Sequence, residues 1–184
     1  LLVYASTETH TWIRKAADLF GHGTDAIRWI PVDAEQRMSV PALRDEVARD
    51  RAAGERPFLV VGSAGSVGTG AIDPLREIAA FCREAGLWFH ADGAYGAPAA
   101  ALPGASEDLK AVALADSIAL DPHKWPYAPL DASCVPVPDP AALPDAFAYS
   151  PTYYALTCPA PHPPPSPPPP AMPNPPPPTP LQIR

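Results

Sequence analysis

The sequence predicts an α/β domain built on a mainly parallel sheet. Three observations point there. Short apolar runs alternate with amphipathic stretches from Leu1 to about Tyr154, the strand–helix order from which parallel sheets are built. The run Phe58-Leu59-Val60-Val61 is continuously apolar, as strands covered on both faces are. Polar residues capable of chemistry follow the strand candidates directly, where open α/β sheets bind their ligands.

Taken in order, Leu1–Ser6 reads as a strand. Thr11–Phe20 reads as a helix that stops at Gly21, a residue suited to the left-handed turn after a helix. Ala26–Val32 is a second strand. Ser39-Val40-Pro41 starts a helix, with Ser39 as N-cap and proline in the first turn. That helix runs through Leu43 and Val47 toward Gly54. Phe58–Gly62 is the third strand, and a glycine-rich turn follows. Asp73-Pro74 is read as the next helix start, with Leu75, Ile78, Ala79 and Cys82 on one face and Gly86 at the end. Leu87–Ala91 and Ser117–Leu120 are strands, and Ala132–Val137 reads as one more.

Of 184 residues, 29 are proline, and more than half of these fall between Pro159 and Pro180. Proline lacks the backbone donor that helices and ladders need. The expected organisation is a folded segment over 1–154 and a disordered, polyproline II-like tail over 155–184. The opening Leu1-Leu2-Val3-Tyr4 reads as a buried strand, so further sequence is expected to precede it in the intact protein. The net charge of -7 argues against a general nucleic-acid binder, which needs a basic face. No apolar stretch approaches the ~20 residues that cross a bilayer. Cys82, Cys134 and Cys158 are odd in number and widely spaced, which fits neither a disulfide scaffold nor a zinc knuckle. The expected setting is cytoplasmic, with neither nucleic acid nor membrane as partner.

Four stretches carry candidate chemistry. Lys124, in Asp121-Pro122-His123-Lys124-Trp125, follows a strand. Among apolar neighbours its amine is poorly solvated and reactive toward carbonyls; alternatively it is a loop lysine paired with Asp121 or Asp131. Asp92 ends the strand Leu87–Ala91. It is placed either to hold a cationic ring nitrogen or to satisfy loop amides. His10, between a strand and a helix, is suited to stacking on a planar group or to proton transfer, or else to capping the helix. The glycine-rich Gly62–Gly70 lacks the ending of a phosphate loop and the spacing of a dinucleotide fingerprint, and reads as a tight bend near a ligand. No metal site is expected: His10, His90, Asp92 and His123 have no cysteine or glutamate at ligand spacing.

Together, in this order, the stretches resemble the group II pyridoxal-phosphate-dependent decarboxylases, the family of aromatic-L-amino-acid and glutamate decarboxylases. The resemblance rests on Tyr4–Thr11, on Gly65–Pro74, on Trp88-Phe89-His90-Ala91-Asp92-Gly93-Ala94-Tyr95-Gly96, and on Ser117–Trp125. It implies part of the large domain of a fold-type-I enzyme, truncated, with pyridoxal phosphate as cofactor and an L-amino acid as substrate. It further implies a Schiff base at Lys124 and a homodimer in the full-length enzyme. By the same resemblance Asp92 binds the ring nitrogen, His10 stacks on the ring with a catalytic role, Ala94 lies against the other face, and His123 lies near the phosphate. A carbon–carbon lyase or an aminotransferase using the same residues is the alternative enzyme, and a polyproline ligand the non-enzymatic one. Asp121 stands where the better-known animal members carry asparagine. Family-like sequence continues to about Tyr154; the proline tract that follows is either a genuine tail or, as a frame change in the coding sequence would explain, a break in the family sequence.

Overall fold

Continuous apolar segments become five parallel strands in the computed structural model of the protein, which describes residues 1–148. They are β1 (Leu2–Ser6), β2 (Ile27–Ile30), β3 (Pro57–Ser63), β4 (Trp88–Asp92) and β5 (Ser117–Ala119), in spatial order β2-β1-β3-β4-β5. The helices are α1 (Trp12–Leu19), α2 (Val40–Ala52), α3 (Leu75–Ala85), α4 (Glu107–Lys110) and α5 (Ala142–Phe147). The expected tail over 155–184, and the end of the 1–154 segment, lie outside the described residues.

Strand alternation divides the core into two layers. Leu2 and Tyr4 of β1, Val60 of β3, and Phe89 and Ala91 of β4 face α2 and α3, where Leu43, Val47, Leu75 and Ile78 meet them. Val3 and Ala5 of β1, with Ile27 and Val61, face Ile13 and Ala17 of α1. Each large apolar side chain so buried contributes about 1.5–3 kcal/mol. A polar group inside the first layer is fully satisfied: Tyr4 Oη donates to Asp50 Oδ2 at 2.7 Å, and Arg28 Nε donates to the same carboxylate at 3.1 Å.

The connections position the ligand crevice. β1 leads through α1 to β2 on one side, whereas β3 leads through α3 to β4 on the other. The adjacent strands β1 and β3 therefore connect in opposite directions, and such a switch point opens a crevice beyond the carboxyl ends. The residues after β1 and β3 are His10 and the 64–70 loop.

Ser39 caps α2 as its sequence predicts, its hydroxyl accepting from the Ala42 amide at 3.4 Å. Gly86 ends α3 in the left-handed conformation at φ 64°. Helix α3 starts at Asp73-Pro74 as expected, with Pro74 as its N-cap and no side-chain cap bond. The Asp73 carboxylate is buried and accepts from the Met38 and Ser63 amides, both at 2.7 Å. One expectation is corrected: the segment Ala132–Val137 is not a strand. Leu120 and Cys134 form an isolated antiparallel bridge, and Ile118 donates to the Pro136 carbonyl at 3.1 Å. Pro136 and Pro138 have no amide hydrogen with which to extend the ladder.

Candidate active site

The period of two along β4 puts Trp88, His90 and Asp92 on the face opposite Phe89 and Ala91. In β5, Ser117 lies beside His90 and Ala119 beside Asp92. Trp88, His90, Asp92, Ser117 and Ala119 line a cavity of about 1150 Å³, with His10 and Trp12 at the start of α1, Ser63 at the end of β3, Gly65 to Val67 and Gly70 in the turn after it, and Asp121 and Lys124 after β5.

The Asp92 carboxylate is held at both oxygens. Oδ2 accepts from the indole Nε1 of Trp12 at 2.7 Å, and Oδ1 accepts from the Ala94 amide at 3.3 Å. Trp12 also donates its backbone amide to His10 Nδ1 at 3.2 Å, which puts the remaining ring proton of neutral His10 on Nε2. The Trp12 ring stands edge-on to His90 at 5.8 Å. His90 Nδ1 pairs with Ser117 Oγ at 2.8 Å, and that hydroxyl accepts from Trp88 Nε1 at 2.9 Å. Burial lowers the His90 imidazole below its ordinary pKa, against the opposing charge of Asp92.

Glycines let the loops close in. A Cβ on Gly93 would overlap Ala97, and one on Gly96 would overlap the carbonyl oxygen of Ala64. The segment after Asp92 therefore lies directly against the turn after β3. That turn closes on itself: Ser66 and Thr69 hydroxyls meet at 2.8 Å, and the Gly70 amide donates to the Ser66 carbonyl at 2.8 Å. It forms the tight bend that its glycines predict.

Lys124 is not desolvated, contrary to the expectation from its apolar neighbours in sequence. Its side chain is 38% exposed, and Nζ lies 3.0 Å from Asp121 Oδ2. Ser133 Oγ donates to the other Asp121 oxygen at 2.7 Å. Tyr95 and Trp125 meet edge to face nearby, with centroids 5.8 Å apart. His123 does not line the cavity; its Nδ1 donates to the Ala132 carbonyl at 2.7 Å.

The fold thus brings His10, Asp92, Ala94 and Lys124 to one cavity. Sequence reasoning missed Trp12 and Ser117. The spacing of Trp88, His90 and Asp92 signals their common face, but nothing local signals that Trp12 reaches a strand eighty residues on. Among the described residues no cluster of three metal-ligating side chains occurs, and no helix is long and apolar enough to cross a membrane.

The family model of the pyridoxal-dependent decarboxylase conserved domain matches residues 1–158. The aromatic-L-amino-acid decarboxylase of Bacillus atrophaeus is 39% identical over 152 residues, covering 83% of this chain and 32% of that relative. The crystal structure of Rhodiola rosea 4-hydroxyphenylacetaldehyde synthase superposes with a TM-score of 0.75 at 36% identity, over 80% of this chain and 32% of that one. That of Catharanthus roseus tryptophan decarboxylase, in complex with L-tryptophan, gives 0.74 at 34% identity, over 80% and 32%. The chain spans about a third of the length of the curated relatives it matches. A five-stranded parallel sheet of this order, a cavity at its carboxyl ends and a match over nearly all of the described chain agree: the protein belongs to the pyridoxal-dependent decarboxylase family.

Proposed function

We propose that the protein decarboxylates an L-amino acid, and that this chain supplies the side chains that hold pyridoxal phosphate for that reaction. The observation that carries the reading is the convergence of an amine, a carboxylate and an imidazole on one cavity, in a member of this family. The residues fit the cofactor. Lys124 offers a primary amine for its aldehyde, Asp92 an anion for its ring nitrogen, His10 a flat partner for its ring, and Ala94 a side chain too small to obstruct it.

When bound, pyridoxal phosphate supplies an electron sink for the pair left behind as the substrate carboxylate departs as carbon dioxide. Asp92 would keep a proton on the ring nitrogen, and its two hydrogen bonds hold the carboxylate in place for that task. Lys124 would anchor the aldehyde end, leaving its ion pair with Asp121 to do so. His123 stands outside the cavity lining, and the phosphate contact implied for it would have to come from Nε2, since Nδ1 is occupied by Ala132. Charge among the described lining residues is two carboxylates, Asp92 and Asp121, against the one ammonium of Lys124. Neutralising a phosphate dianion would therefore fall to donors outside this set, such as a helix N-terminus. A homodimer with a cytoplasmic location completes the reading; among the described residues, Cys82 and Cys134 are free thiols.

Product analysis of the native gene product tests the proposal. Carbon dioxide and the matching amine are expected from an L-amino acid, with loss of both in Lys124→Ala. A keto acid in place of carbon dioxide would contradict it, as would activity that survives Lys124→Ala.

A further inference from the structure

We infer that Trp12 is a positioning residue for Asp92, holding one carboxylate oxygen through its indole N–H while lone pairs remain for the cofactor's ring nitrogen. The inference rests on the proposed role of Asp92. The bond at 2.7 Å joins the first residue of α1 to the last residue of β4. An indole nitrogen only donates, so its partner must be an acceptor. An ionised carboxylate has about four acceptor positions. Trp12 Nε1 and the Ala94 amide use two of them, so acceptor capacity remains for a further donor from the cavity.

Orientation is what the indole adds. The terminal torsion of an aspartate is broad and roughly two-fold, so a carboxylate on a strand end does not hold one plane unaided. The Ala94 contact is long at 3.3 Å and comes from the loop that follows. His90 makes no hydrogen bond to Asp92: its Nδ1 pairs with Ser117, and its ring stands edge-on to Trp12. Trp12 is itself fixed, by its place at the start of α1, by the His10 contact of its amide and by the His90 ring. One residue thereby sets the Asp92 carboxylate and the His10 ring relative to each other.

Two measurements on the native gene product test this. The first needs no cofactor. The indole N–H resonance of Trp12, assigned in the wild type through its connection to the residue's own backbone amide, is expected to move in Asp92→Asn, because its acceptor loses charge. An unmoved resonance overturns the inference, and this arm decides even where Trp12→Phe does not fold. The second is the dissociation constant of pyridoxal phosphate. Trp12→Phe keeps a ring against His90 and removes the donor, so the constant is expected to rise about five- to ten-fold. Trp12→Gln restores a donor and is expected to recover part of that loss. Equal binding by wild type and Trp12→Phe overturns the inference alone. A wild type that borohydride leaves without a pyridoxyl group on Lys124 overturns the cofactor reading, and the positioning role with it.

Discussion

Lys124 Nζ lies 3.0 Å from Asp121 Oδ2, three residues earlier in the same turn. The amine proposed to hold the cofactor is thus paired with a carboxylate. Partial burial works to raise the Asp121 carboxyl, but hydrogen bonds from Ser133 and Lys124 and the Lys124 charge outweigh it, and its pKa lies below the ordinary value. A depressed carboxylate contributes stability above its unfolded pKa and loses it as pH falls through the folded one. Asp121→Asn should therefore lower stability by less than about 1 kcal/mol at neutral pH and remove part of the loss on acidification below pH 4. Denaturant melts of both proteins at pH 7 and pH 3 check this; a larger loss at pH 3 in the variant would contradict it.

Asp73 carries the opposite shift. Burial pushes its carboxyl up to about 6, against the hydrogen bonds from the Ser63 and Met38 amides. The folded pKa exceeds the unfolded one, so this group's contribution is fully present below about pH 4 and is lost as pH rises through about 6. The swing is on the order of 2–3 kcal/mol. Asp73→Asn cannot titrate, so its stability profile between pH 4 and pH 6 should be flatter than that of wild type. Parallel profiles across that window would remove Asp73 as the source.

His90 should stay neutral at pH 7. Its ring is partly buried, and the lost solvation puts its titration midpoint below that of an ordinary imidazole. Asp92 is the charge that opposes this, so Asp92→Asn should lower the midpoint further. Imidazole chemical shifts followed against pH read both values. A midpoint that rises in the variant would show that Asp92 is not the charge His90 feels.

Gly96→Ala should cost about 1–3 kcal/mol or more, the range of overpacking, because its Cβ would overlap the Ala64 carbonyl oxygen. Backbone atoms on both sides leave little room to adjust. Gly70→Ala, where a Cβ meets nothing within 4 Å but φ is 73°, should cost about 1 kcal/mol from conformation alone. Thermal melts of the pair separate close approach from backbone strain.

Much of this architecture is legible in the sequence because its signals are local. The strands β1 to β4 coincide with apolar runs, and α2 and α3 end at or just before the glycines that their sequence marks as stops, Gly54 and Gly86. Short elements leave no such signal: α4 and α5 have four and six residues, too few for a helical period to register. Asp73-Pro74 carries the composition of a helix start, yet its carboxylate serves two amides brought from elsewhere in the fold. Lys124 sits among apolar neighbours in sequence, but the turn folds Asp121 back onto it. Trp12 meets Asp92 only through the sheet. Residues whose role depends on a partner far along the chain leave no periodic trace.

The proposed reaction depends on Lys124 carrying the cofactor. Borohydride reduction of the native gene product loaded with pyridoxal phosphate, followed by peptide mass spectrometry, tests it directly. One pyridoxyl group is expected, on Lys124, with much less fixed in Asp92→Asn. A pyridoxyl group on Lys15 or Lys110 with Lys124 unmodified would contradict it.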